Sequence, residues 1–443
     1  MKKAFVRVIA AFAVIILVIT FSHMLDYALV DDTASYTRLM EHEFYNQENI
    51  DILCLGASHC YRGIIPSIVS ERTGKNVFNA SSSSQSPDAS YALIKEAVKR
   101  YDVEEVYLEI SASMAQGVGE FDNRTDLTST YLISDYMEPS LNKTQLLLDA
   151  SRSEYYVNGF FPARRYWKSI LDFQYVDSVL KKKNTDVYRD FEYDNAKSEN
   201  EWYVGNGYVA CKLLIDEHGY YTTDGFNRVD TDKISDDWKN TIDSIIKYCN
   251  KNNVKLTLYD SPISCFQLAS QGNYDNYISF VREFVEGKDV EYAEFNLLKE
   301  EYLLYKQTNY KDGHHFNMYG ANDFSEFLSN YINDEIPEDA FYESIDEKLG
   351  SISPDFYGIS YQDDSENDTR TIRLVSNRPN YYEYKVEILR SDGGTDILQN
   401  YSTNNELVFP KSVLVDNDSD FNRKIVVSCR IKGTDEEAMT LEY

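Results

Sequence analysis

Positive charge is scarce in this sequence relative to negative. Its 443 residues carry 44 Lys and Arg against 73 Asp and Glu, a formal net charge of −29. Such a chain has little with which to neutralise phosphates, so nucleic-acid binding is excluded as a function class. Cysteine is also scarce. Cys54, Cys60, Cys211, Cys249, Cys265 and Cys429 form no C-x-x-C and no paired metal spacing. A disulfide scaffold and a structural zinc are therefore not expected, and buried free thiols are. There is no G-x-G-x-x-G and no Walker sequence, so no phosphate cradle and no cofactor are expected. Nor does any repeat of 20–50 residues occur. What is present is 43% hydrophobic and 26% charged residues, enough to bury a sizeable core. The length suits two to three domains of about 150 residues each. Tyrosine is abundant, 37 against 22 Phe and 3 Trp.

The N-terminus gives the address. Lys2, Lys3 and Arg7 precede an apolar run from Val8 to Phe21, extendable to Leu25 across Ser22 and His23. The run is at the short end for a membrane helix. A cleaved signal peptide has the same layout. No small-x-small cleavage site follows, and Leu25–Leu29 is a poor one, so an uncleaved anchor over 1–27 is expected. The basic flank keeps the N-terminus in the cytoplasm and places the body outside the membrane.

The body alternates strands and helices. Residues 50–55, 76–79 and 105–110 read as buried strands, with helices opening at Pro66 and Pro87 between them. In the second helix Tyr91, Ile94 and Val98 share a face. The alternation resumes with a helix carrying Trp238, Ile242, Ile245 and Ile246, then a strand at 254–259. A helix near 277–284, a strand at 290–295 and a closing helix at 319–332 follow. This predicts an α/β fold with a doubly wound parallel sheet over 28–340. The interruption at about 115–232 is a long insertion, with a helical piece near 165–182. From 341 to 443 the helical period is lost. Short runs at 369–374, 382–389, 406–409, 423–431 and 438–441 predict a small all-β, sandwich-like domain.

Two places carry chemistry. Leu55-Gly56-Ala57-Ser58-His59 follows the first strand directly, where a Ser stands exposed at the carboxyl edge of the sheet. It is not the G-x-S-x-G elbow, because Cys60 holds the last Gly position. Late in the chain stands Lys311-Asp312-Gly313-His314-His315-Phe316-Asn317-Met318-Tyr319-Gly320. A carboxylate and an imidazole three residues apart on one loop can hydrogen-bond, which fixes the tautomer for base work. Three of the six His, His59, His314 and His315, lie at these two places.

Together these blocks resemble the SGNH (GDSL-like) hydrolase superfamily over roughly 48–335. The form with Asn317 and Gly320 after the His looks like its membrane-anchored branch, which includes DltD and the alginate O-acetylation proteins. The resemblance implies a flavodoxin-like three-layer fold. It also implies Ser58 as nucleophile, His315 as general base and acid, and Asp312 as its orienting carboxylate. His314 is the rival for His315. The family's Gly and Asn blocks are not matched: Phe78-Asn79-Ala80-Ser81 stands at the first, and Glu109-Ile110-Ser111-Ala112-Ser113 has no G-x-N-D. Asn79 is a candidate oxyanion donor or a turn residue, Ser81 replaces the usual Gly, and His59 is a pocket candidate. Arg62 either greets an anionic group or salt-bridges a neighbour. Asp260-Ser261-Pro262 lies at the same sheet edge, as a turn or as part of the crevice. Arg164, Arg165, Tyr166 and Trp167 are a candidate sugar-binding wall. No metal site is expected.

The expected function is a membrane-anchored, extracytoplasmic serine esterase or O-acyltransferase acting on a cell-envelope or exported glycan. The alternatives are a DltD-like partner in D-alanyl transfer to teichoic acid, served by a multi-pass membrane acyltransferase, and a non-catalytic surface glycan-binding protein. The acidic body and the many Tyr favour a neutral or weakly charged sugar polymer over an anionic one.

Overall fold

The computed structural model describes residues 2–116, 127–216, 218–222, 229–303, 307–415 and 423–443. The chain forms two compact units. The first takes Met1–Glu109, Gly117–Cys211 and Ser235–Thr257; the second takes Ile110–Gln116, Lys212–Ile234 and Leu258–Tyr443.

The first unit begins with a helix over Lys2–Leu29. Its stretch Phe12–Leu29 has a mean hydropathy of 1.9 and is long and apolar enough to cross a membrane. Strand β1 (Ile52–Leu55) is apolar at every position and buried throughout, as a strand covered on both faces must be. It pairs in parallel with β2 (Val77–Asn79) and with β3 (Glu105–Glu109), Ile52 lying opposite both Val77 and Glu105. The intervening helices are Pro66–Thr73, closed by Gly74 in the left-handed region, and Pro87–Arg100, capped by Ser86. The buried face of the latter is not the one that Tyr91, Ile94 and Val98 mark out. Ala89, Ala92, Leu93, Ile94 and Ala97 are buried, while Tyr91 and Val98 are only half-buried. Small side chains bring this helix close to its neighbours, and Tyr91 meets Tyr248 edge-on from the helix Asp236–Lys251.

The insertion holds more regular structure than its composition suggests. β4 (Glu201–Gly205) and β5 (Tyr208–Cys211) form an antiparallel hairpin. Its turn is Asn206-Gly207, both at positive φ, the pairing that two-residue hairpins demand. Gly207 has a further reason to be Gly. A Cβ there would lie 1.6 Å from the Asn79 carbonyl oxygen. The helical piece consists of a 3-10 segment, Pro162–Leu171, and an α-helix, Phe173–Lys183, capped by Asp172. Parts of the insertion lie outside the described residues.

In the second unit β6 (Gly219–Thr222) precedes β7 (Lys255–Asp260), whose first three residues belong to the first unit, and β8 (Glu291–Glu294). The parallel sheet runs β2-β1-β3-β7-β8, the flavodoxin-like order of a doubly wound α/β fold. The helices Tyr274–Val285 and Met318–Ile332 stand where the sequence predicts them. The C-terminal part is all-β. One sheet runs β13-β10-β9-β6 and the other β12-β11-β14-β15. These strands are β9 (Phe356–Asp364), β10 (Thr369–Ser376), β11 (Tyr382–Leu389), β12 (Thr395–Ser402), β13 (Glu406–Pro410), β14 (Lys424–Ile431) and β15 (Glu437–Glu442). Both sheets contribute to one core, including Ile359, Leu374, Tyr384, Val386 and Val427. β6, from the insertion, joins β9 in parallel, Gly219 pairing with Gly358, a contact that no local pattern announces.

All six Cys are free and buried. Among the described residues tyrosine is buried more often than it is exposed. Tyr107, Tyr259, Tyr277, Tyr310 and Tyr384 are among the largest fully buried side chains. The tyrosine count therefore does not by itself describe a carbohydrate-facing crevice.

Candidate active site

The first unit holds the Ser58 turn. β1 and β3 are neighbours at the point where the strand order reverses, the crevice position of open α/β sheets. Gly56 and Ala57 leave β1, and Ser58 opens the short helix Ser58–Gly63. Glu109, the last residue of β3 and fully buried, holds this turn. Its Oε2 accepts the Ala57 N–H at 2.6 Å, and its Oε1 lies 3.2 Å from His59 Nδ1. Gly56, at φ 155°, is obligatory for the same reason. A Cβ there would come within 2.4 Å of Glu109 Cβ. His59 is thus drawn to a carboxylate beneath the nucleophile candidate. Glu109 is the residue that sequence reasoning missed. The available signal was a Glu following the apolar stretch Val106-Tyr107-Leu108 of the strand.

The oxyanion candidates fare differently. Asn79 is buried, and its amide donates to the carbonyls of Cys60 at 2.9 Å and Ile64 at 3.3 Å. Both amide hydrogens are therefore spent closing the Ser58–Gly63 helix, so Asn79 is a capping residue in this arrangement. Cys60 packs against it, its Sγ 3.5 Å from Asn79 Oδ1. Ser81 is completely buried, and its hydroxyl has no hydrogen-bond partner among the described residues; the same is true of Ser82. Arg62 pairs with Glu201 of the insertion hairpin at 3.1 Å. Although burial lowers its pKa, Tyr61 and Glu201 raise it further, so the net shift is upward. Glu43 holds the same hairpin, accepting from Tyr203 Oη and Asn206 N, each at 2.6 Å. Arg165 is tied to Asp135 and lies over the Tyr131 ring, whereas Trp167 is exposed.

The second unit holds the Asp312–His315 loop. Asp312 Oδ1 accepts the backbone N–H of His314 and of His315, both at 2.9 Å. The same carboxylate meets His315 Nδ1 at 2.9 and 3.0 Å through its two oxygens. With the Nδ1 proton directed at Asp312, the neutral ring presents Nε2 as a proton acceptor. Burial raises the Asp312 pKa, but the His315 imidazole and the two backbone N–H groups outweigh it. The carboxyl is held well below the usual range and stays ionised. His315 is the ring on the carboxylate. That of His314 lies 6.2 Å from it between centroids, and only its backbone N–H meets Asp312.

The loop is clamped at both ends. Ser264 Oγ donates to Gly313 O at 2.8 Å. Asn317 caps the Met318–Ile332 helix, accepting from Tyr319 N and Gly320 N, and its own amide donates to Thr308 O and Tyr310 O. Gly320 gives the backbone room, since a Cβ there would lie 2.2 Å from Asn309 O. Asp260 is buried and accepts from Tyr292 Oη at 3.0 Å and Tyr274 Oη at 3.4 Å, so it belongs to an internal network and not to a crevice wall. Among the described residues no group of three or more His, Cys, Asp or Glu is placed to hold a metal ion.

No protein-family model and no curated protein matches the chain. Several solved structures do. A protein of the G-D-S-L lipolytic family from Desulfitobacterium hafniense is 9% identical, with a TM-score of 0.31, covering 64% of this chain and 99% of its own. A GDSL-like lipase from Bacteroides thetaiotaomicron is 8% identical, with a TM-score of 0.32, covering 69% of this chain and 100% of its own. Similarity of this size leaves the chemistry to be read from the side chains themselves.

Proposed function

We propose that the chain is a membrane-anchored serine esterase or acyltransferase of the SGNH type, acting on O-acyl groups of a cell-envelope or exported glycan. The observation that carries this reading is the Asp312–His315 pair. A half-buried carboxylate grips one imidazole nitrogen, and the other ring nitrogen serves as the base. Ser58, on its turn after β1, is the nucleophile in this proposal. Its Oγ attacks the ester carbonyl while its proton passes to His315 Nε2. The leaving alcohol departs with that proton, and an acyl-Ser58 ester remains. Water or a sugar hydroxyl then attacks this ester, with His315 again taking and returning the proton. Asp312 stabilises the imidazolium formed in each half. The apolar Lys2–Leu29 helix supports a single-pass anchor, and the basic residues in its first two turns support an extracytoplasmic body.

The test is labelling of the full chain with a fluorophosphonate probe, followed by peptide mapping. Labelling at Ser58, lost in Ser58→Ala and strongly slowed in His315→Ala, is the expected result. Unchanged labelling of Ser58→Ala, together with unchanged hydrolysis of an activated ester, overturns the reading. Comparing acetyl release with acetyl transfer to an added oligosaccharide separates esterase from transferase.

A further inference from the structure

We propose that the segment Tyr156–Phe173 lies in the membrane interface beside the Lys2–Leu29 helix, with a lipid acyl chain in the groove between them. This inference rests on the anchor reading above. In the segment, Leu171 and Phe173 are each 80% exposed and Trp167 is 54% exposed; Phe160, Phe161 and Ile170 are exposed beside them. So much apolar surface gathered on one stretch marks a surface that is covered in use.

Three observations identify lipid as the cover. The first is continuity with the apolar helix. Ala163 N donates to Asp26 Oδ1 at 2.7 Å, and Tyr175 Oη donates to Leu29 O at 2.7 Å. Lys183 pairs with Asp32 at 2.7 Å. The segment is thus pinned where the apolar run gives way to acidic residues, at the level of a membrane surface. The second is the groove, of about 410 Å³, between the helix and the segment. Ile19, Ser22 and His23 line one side, and Val157, Phe160 and Phe161 the other. Its lining is mostly apolar, as a hydrocarbon chain requires, with Asp26 and Tyr156 completing it. The third is charge. The segment 156–173 holds three Lys and Arg against one Asp, in a chain of net −29. Arg164 and Lys168 flank the exposed Trp167, the mix of cation and amphipathic ring found where protein meets lipid headgroups. Trp167 and Arg164 thereby move from a sugar wall to a lipid surface.

The test places an environment-sensitive nitrobenzoxadiazole label on single added cysteines. The six native thiols are buried, which keeps labelling selective. Leu171→Cys and Phe173→Cys are compared with Val204→Cys on β4 and with Val14→Cys in the anchor. All are read in the full chain in vesicles of phosphatidylethanolamine and phosphatidylglycerol carrying doxyl-labelled lipid. An about two-fold loss of emission at 171 and 173, greatest with shallow doxyl groups, and none at 204, is the expected result. Quenching at 14 but not at 171 or 173 overturns the proposal and leaves the anchor standing. Absence of quenching at 14 as well removes the anchor and the proposal together. A blue-shifted but unquenched label at 171 also overturns it, because a protein surface would then be the cover.

Discussion

The Ser58 turn and the Asp312–His315 loop are held by opposite means. The Asp312–His315 pair is gathered locally: one carboxylate takes two backbone N–H groups and an imidazole from within three residues, while Ser264 clamps the intervening Gly313 from afar. The turn is supported from afar. Its shape depends on Glu109, some fifty residues on and one strand across, and on Asn79 at the end of another strand. Local support lets the proposed catalytic pair hold its geometry through short-range bonds. Remote support ties the candidate nucleophile to the integrity of the sheet. Damage to the first should therefore appear in chemistry, and damage to the second in stability.

The largest effect should come from Asp312→Asn. The amide still offers an oxygen to the two backbone N–H groups, so the loop keeps its shape. It no longer fixes the tautomer or stabilises the imidazolium. Under the proposed mechanism, esterase kcat falls about ten-thousand-fold, while the melting temperature barely moves. Initial rates and calorimetry on one preparation check this. Melting that collapses along with activity would show that the loop does not support itself.

Gly56→Ala tests the other side. The added methyl meets Glu109 Cβ and Oε2, neither of which can yield without releasing Ala57 N–H and His59. A loss of about 2 to 3 kcal/mol is expected from such overpacking, read by urea denaturation. A variant as stable as the parent would show that the turn does not lean on Glu109.

How much of this was legible follows the same division. Asp312 and His315 stand three apart, and a loop brings such neighbours together whatever the rest of the chain does, so their contact was readable from the spacing. Glu109 reaches its partners only through parallel pairing of β1 and β3, and nothing in its local sequence says which turn it will meet. Asn79 was visible as a well-placed amide, but the direction of its donors was not, and packing turned them to Cys60 and Ile64. The strand and helix order was readable because the apolar runs are short and cleanly bounded. The β4–β5 hairpin had a signal in Asn206-Gly207 that the polar composition around it obscured. The β6–β9 pairing had none, since only the folded chain brings those residues together. The exposed apolar side chains of 160–173 were legible as composition but not as surface.

Asn317→Ala probes the clamp on the local loop. It removes the cap of the Met318–Ile332 helix and leaves the carbonyls of Thr308 and Tyr310 without their donor. A cost of about 1 to 2 kcal/mol is expected, with esterase activity reduced far less than by Asp312→Asn. Equal losses of activity in the two variants would make the Asp312 carboxylate one more structural group in the loop.

The smallest effect separates the two regions by pH. Asp312 is held below the usual carboxylate range in the folded chain, whereas the unfolded chain titrates it near about 3.9. As pH falls through that value, the unfolded state binds the proton first, so folding loses stability on the acid side. The contribution is fully present above about pH 5 and shrinks toward the folded value. Asp312→Asn has no such proton to bind. The stability gap between parent and variant should therefore narrow from pH 5 to pH 2. The Asp312 side chain is 39% exposed, so solvent screening keeps the change to about 1 kcal/mol or less. Gly56→Ala leaves the loop's titration untouched, and its deficit should not follow that acid limb. Melting curves of the three proteins across this range decide it: parallel curves for parent and Asp312→Asn would mean that the carboxylate's charge does not stabilise the loop.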